Sequence, residues 1–85
     1  MQGRRIPEPE GLNFQPGDYW KAKEGFWYAV TPNGLLANLA GHSITEHEDG
    51  TITAAPSIAT SGYKDVGEGQ ASWHGYLKRG VWEEC

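Results

Sequence analysis

The 85-residue sequence has a single cysteine, Cys85, at its last position. That excludes an internal disulfide framework and a cysteine-based zinc knuckle. No apolar run approaches the roughly 20 residues of a membrane span, so no membrane partner is expected. Residues 1–7 carry charge with no apolar stretch behind it, unlike a secretory signal, and an intracellular protein is expected. The seven Lys and Arg are scattered and form no basic stripe to neutralise phosphates, so nucleic acid is not an expected partner either. A net charge of −4 is too modest for an acidic mimic of DNA. The usual core-formers are scarce: Leu, Ile, Val and Phe together make 14 of the 85 residues, a share that by itself borders on disorder.

Aromatic residues offset that scarcity. Four Trp and four Tyr in a weakly charged chain do not describe a disordered one, and each ring buries a large area. Twelve Gly and five Pro predict many turns and short elements. Residues 1–16, with three of the five Pro, read as an extended or flexible arm that lies over the domain or loose in solvent, with Leu12 and Phe14 as its docking points. A single β-rich domain is expected over residues 17–85.

Within that domain the punctuation is that of an all-β protein. Asp18-Tyr19-Trp20-Lys21 is a short strand candidate, and residues 25–30 are a stronger one, rich in aromatic and β-branched types. Thr31-Pro32-Asn33-Gly34 turns the chain. Residues 35–40 fit a strand better than a helix, because the apolar run is short and follows the turn directly. Around Glu48-Asp49-Gly50, a two-residue loop would pair His47 with Ile52 and put Ile44 on the opposite face. A type I turn with Gly50 in a left-handed bulge pairs His47 with Thr51. Only the second gathers Ile44, Ile52 and Ala54 on one face, away from Ser43, Thr45, His47, Thr51 and Thr53, so the bulged register is expected. Pro56 should end the pairing or mark an edge. Residues 60–70 read as an exposed loop. A last hairpin should run from residue 71 through a Lys78-Arg79-Gly80 turn, with the same turn chemistry as the first. The sum is a small antiparallel sheet, a rolled barrel or mini-sandwich of five to seven short strands with β-hairpins, over a core of Trp20, Trp27, Tyr28, Trp73 and Trp82.

Two stretches, EHEDGTIT-x-x-PSI (residues 46–58) and WHG-x-L-x-x-GVW (residues 73–82), resemble a pattern of small uncharacterised proteins of tailed phages and prophages. The resemblance spans roughly residues 26–85 and implies a viral origin but no reaction. More distant bacterial proteins with a similar T-x-x-PSI segment carry several Cys resembling metal ligands; this chain has none in that region.

Catalytic and metal-binding constellations are weak. His42, His47 and His74 are the candidate ligands for zinc or another divalent ion, but no His-Glu-x-x-His or Cys pair is present. On a regular strand His42 and His47 point to opposite faces. A site built from His47, His74 and one carboxylate requires the two hairpins to pack together. Glu46 and Glu48 share a strand face, roughly 7 Å apart, yet charged residues beside a hairpin turn ordinarily keep an edge soluble. Ser57 and Ser72 lack the Gly-x-Ser-x-Gly elbow, and Cys85 sits beside Glu83 and Glu84, a poor setting for a thiolate. The aromatic surplus carries more. A chain this short cannot bury all its rings, and exposed aromatics mark protein contacts. Trp27, Trp73, Tyr76 and Trp82 are the candidate partner-binding residues. The expectation is a non-enzymatic protein-binding module, a phage or prophage accessory protein acting in the host cytoplasm on a protein partner or on itself. The alternatives are a small metal-binding, hydrolytic domain using His47 and His74, and a minor virion component.

Overall fold

The computed structural model describes residues 1–63 and 70–85. It contains eight strands: β1 (Arg4–Arg5), β2 (Asp18–Lys21), β3 (Trp27–Val30), β4 (Leu36–Asn38), β5 (Ser43–Glu46), β6 (Ile52–Tyr63), β7 (Gln70–Lys78) and β8 (Val81–Glu84). They form two four-stranded sheets, β1-β2-β3-β4 and β5-β6-β7-β8, each in sequence order. The all-β fold with hairpins agrees with the expectation. The N-terminal segment, expected as an arm, adds an eighth strand, β1.

Three hairpins are closed by one turn geometry. Gly25, Gly34 and Gly50 have φ of 95°, 89° and 87°, and each donates its N–H three residues back, to the carbonyls of Ala22, Thr31 and His47. The residue after each glycine then completes the bulge: Ala22, Thr31 and His47 donate to the carbonyls of Phe26, Leu35 and Thr51. This is a type I turn followed by a left-handed glycine. It sets the expected register around Gly50, with Glu46 opposite Ile52 and Ile44 opposite Ala54. Ile52 and Ala54 are buried and Ile44 partly so. A Cβ at Gly50 would meet nothing within 4 Å, so its substitution tests backbone conformation alone. Gly50→Ala is expected to cost about 1–2 kcal/mol in urea unfolding, the penalty for a Cβ in the left-handed region.

The final hairpin departs from that chemistry. Lys78 pairs directly with Val81, and both loop residues have positive φ, 46° at Arg79 and 76° at Gly80. This is a two-residue turn of the I′ kind, fastened to the start of β6 by Gly80 N–H to the Ile52 carbonyl and Arg79 N–H to Thr53 Oγ1. Pro56, expected to end pairing or mark an edge, lies inside the twelve-residue β6. The pairing with β5 stops at Ala55, and between Ala54 and Ile58 three residues of β6 oppose one of β7, Tyr76. Proline has no N–H for a ladder, and the irregularity accommodates it. Of the expected loop over residues 60–70, residues 60–63 belong to β6 and Gln70 opens β7; the remainder lies outside the described residues.

The N-terminal segment joins the sheets. Gly3 N–H donates to the Gly80 carbonyl, Trp82 N–H to the Met1 carbonyl, and Gln2 bridges Val81. The chain then crosses to β2, where β1 pairs in parallel, with Arg4 opposite Asp18. Arg4 fixes this crossing with two bonds of 3.2 Å to the buried Asp18 carboxylate, which also accepts the Gln15 N–H. The core lies between the sheets: Tyr19, Trp27, Ala29, Ala37 and Leu39 from one side, Ile52, Ala54, Ile58, Trp73, Leu77 and Trp82 from the other. Trp73 and Trp82 meet edge to face at 5.4 Å and 83°, worth roughly 0.5–1.5 kcal/mol beyond the area they bury.

Candidate functional site

Strand alternation divides the aromatic residues between two faces. Trp27, Trp73 and Trp82, expected at a partner surface, are only 7%, 6% and 2% exposed and belong to the core. Tyr76 alone of the four lies at the surface, 39% exposed, with the Lys78 ammonium 4.7 Å above its ring. Trp20, expected in the core, is buried at 5% exposure, and Tyr28, also expected there, is half-buried; the two stand directly opposite one another on the outer face of β2 and β3. Their rings stack at 5.9 Å, and Phe14 stacks on Trp20 from the arm at 5.4 Å. Phe14 therefore docks as expected, whereas Leu12 is 84% exposed. Leu12, Phe14, Trp20, Tyr28 and Leu36 line a groove of about 240 Å³ whose rim carries Glu8 and Glu24. Leu36 is 51% exposed; Phe26, 49% exposed, follows beside Ala22 at the end of the hairpin.

A second feature lies where β4 faces β6. The N-terminal segment closes the rolled sheet on one side, but among the described residues no backbone hydrogen bond joins β4 to β6. One side chain spans this seam: His42 Nε2 lies 3.2 Å from the Ser57 carbonyl of β6. Farther across, Asn33 Nδ2 donates to the Ser72 carbonyl of β7 at 3.1 Å. The seam holds a cavity of about 300 Å³, bounded by Leu36, Ala37, Asn38, Leu39 and His42 on one side and by Ile58, Ala59 and Thr60 on the other. Leu36 borders both this cavity and the aromatic groove.

Two of the three histidines share a partner. His42 Nε2 contacts the Ser57 carbonyl, and His74 Nε2 lies 2.8 Å from Ser57 Oγ. His47 Nε2 contacts Thr53 Oγ1 at 2.7 Å. Among the described residues, no three His, Cys, Asp or Glu converge as metal ligands would. Ser57 and His74 have the separation of a nucleophile and its base, but no carboxylate is hydrogen-bonded to the His74 ring among the described residues. Glu46 is committed elsewhere: Arg5 Nη1 donates to it at 2.7 Å and lowers its carboxyl pKa below the usual range. A general acid needs a shift the other way. Hydrogen bonds from the Thr51 hydroxyl and N–H likewise lower Asp49, and burial raises the Tyr19 phenol.

The outer aromatic face and the seam both escape a sequence reading. Tyr19-Trp20 and Trp27-Tyr28 are adjacent pairs, so each must send one ring to either side of the sheet. The pattern reveals that division but not which side the second sheet covers. Thr60 carried no signal because its segment reads as loop. Comparison with protein families, with curated proteins and with solved structures finds no match to this chain.

Proposed function

We propose that this chain is a phage- or prophage-encoded accessory protein that binds a protein partner in the host cytoplasm without catalysing a reaction. The observation that carries this reading is the groove on the outer face of β2 and β3. Its floor is the stacked Phe14, Trp20 and Tyr28, its exposed flanks are Leu12 and Leu36, and its rim is acidic at Glu8 and Glu24. An apolar concavity ringed by charge is the form of a protein contact. The rim charge favours a partner that places an apolar side chain in the groove between Lys or Arg residues. The viral and cytoplasmic parts of the proposal rest on the resemblance of residues 46–58 and 73–82 to phage proteins.

A photo-crosslinking amino acid at Leu12 tests the contact. Leu12 is exposed enough that replacing it should alter stability by no more than about 0.5 kcal/mol. Illumination of bacterial cells producing the protein is expected to give one discrete adduct from position 12, absent when the probe stands at Lys78 on the far sheet. Sedimentation velocity then shows whether the adduct partner is a second copy. No adduct at position 12, or the same products from both positions, overturns the proposal.

A further inference from the structure

The seam between β4 and β6 has three properties that point to one ligand class. First, it is bounded by two strand edges. Among the described residues β4 has a neighbour only on its β3 side, and β6 loses β5 after Ala55 while continuing along β7 to Tyr63. In antiparallel strands alternate residues direct N–H and C=O groups toward each edge. The two edges therefore present backbone donors and acceptors toward the same cavity without bonding each other. Second, two residues that line that cavity each hold a buried side-chain atom, His42 Nδ1 and Thr60 Oγ1, with no hydrogen-bond partner among the described residues. A carbonyl can only accept, so His42 donates Nε2–H to Ser57, and in the neutral ring Nδ1 is left as an acceptor. The Thr60 hydroxyl can both donate and accept. Third, among the described residues no Asp, Glu, Lys or Arg borders the cavity.

Unpaired buried polar groups are uncommon and costly, and two at one cavity between two free strand edges call for a neutral ligand bearing both N–H and C=O. The amide of an extended chain is that ligand. We infer that the seam takes an extended peptide segment of the protein partner, whose backbone pairs with the free edges of β4 and β6 and with His42 Nδ1 and Thr60 Oγ1. This is recognition by strand addition. It rests on the protein-binding reading and specifies its chemistry: Leu36 makes the seam continuous with the aromatic groove, so a side chain of the added segment can enter the groove while its backbone occupies the seam.

The probe is a displayed library of random octapeptides, selected on the full chain. Enriched peptides are expected to perturb, in ¹⁵N NMR spectra, the amides of residues 36–39 and 58–60 and the Nδ1 resonance of His42. N-methylation of alternate residues, which removes backbone donors while keeping side chains, should abolish these changes. Thr60→Val keeps the shape and deletes the hydroxyl, and is expected to weaken binding about three- to tenfold, as for one lost hydrogen bond. His42→Phe serves as a second variant of similar effect. The inference is overturned if no peptide is enriched, if the peptides map away from the seam, if the N-methylated forms bind equally well, or if Thr60→Val binds like the parent. A position-12 adduct in cells together with any of these outcomes removes the seam and leaves the protein-binding reading standing.

Discussion

Gly75→Ala is expected to leave no folded protein. A Cβ at Gly75 would run into the Glu83 carbonyl oxygen and the Trp73 ring, and would stand 2.9 Å from Glu84 Cα. Two of those obstacles are backbone, on the neighbouring strand β8, and cannot rotate away. The third is a buried ring held edge to face by Trp82. Relief requires β8 to separate from β7, and the N-terminal segment is bonded to β8. The expected observation is collapse of amide dispersion in NMR spectra and loss of the cooperative urea transition. The control is Tyr76→Ala on the same strand. It gives up an exposed ring and its contact with Lys78, and should cost about 1 kcal/mol or less. A well-folded Gly75→Ala protein would mean that β7 and β8 do not pack as described.

The next largest effect is expected at Trp82. Its ring is 2% exposed, packs against Trp73, and donates Nε1–H to the Gly17 carbonyl at 3.1 Å. Trp82→Ala removes a large buried ring, at about 3–5 kcal/mol, and leaves that carbonyl without its indole partner. For a domain whose total stability is on the order of 4–13 kcal/mol, this brings the folded state close to failure. Trp82→Phe separates the two contributions, retaining most of the packing while losing the donor, and should lose about 1–3 kcal/mol. The urea midpoint reads both. Equal losses for Ala and Phe would assign the stability to the hydrogen bond rather than the ring.

Local chemistry was legible in the sequence, and long-range neighbours were not. Asp18–Lys21 reads as a strand and is one, and the segregation of Ile44, Ile52 and Ala54 selects the bulged turn at Gly50 that the structure contains. Such features are decided within a dozen residues. The two-residue strand Arg4–Arg5 carries no periodicity to detect; its partner is the β2 edge, and its ion pair is with Asp18, 14 positions on. Nothing in Lys78-Arg79-Gly80 distinguishes a bulged turn from a two-residue one, because Arg79 adopts a positive φ uncommon for its type. The side each ring takes was illegible for a related reason. Which of two adjacent rings meets the second sheet depends on where that sheet lies, so Trp27 packs between the sheets while Trp20 is buried on the outer side of β2 beneath Phe14, without any difference in local pattern. Thr60 became a seam residue because β6 continues past Pro56, against the ordinary meaning of proline in a strand.

The crossing of the N-terminal segment from β8 to β2 governs the order in which the molecule can be completed. Synthesis delivers Gln2 and Gly3 well before their neighbours on β8, Gly80 and Val81. The segment can thus find its place only once β8 has been made, and contacts so distant in sequence slow folding. During that interval an unpaired edge is open to other chains. Arg4 and Arg5 occupy this segment, and two adjacent positive charges discourage wrong pairing until Asp18 and Glu46, their eventual partners, are in position. The arginines that later tie β1 to β2 through Asp18 and to β5 through Glu46 guard the segment beforehand.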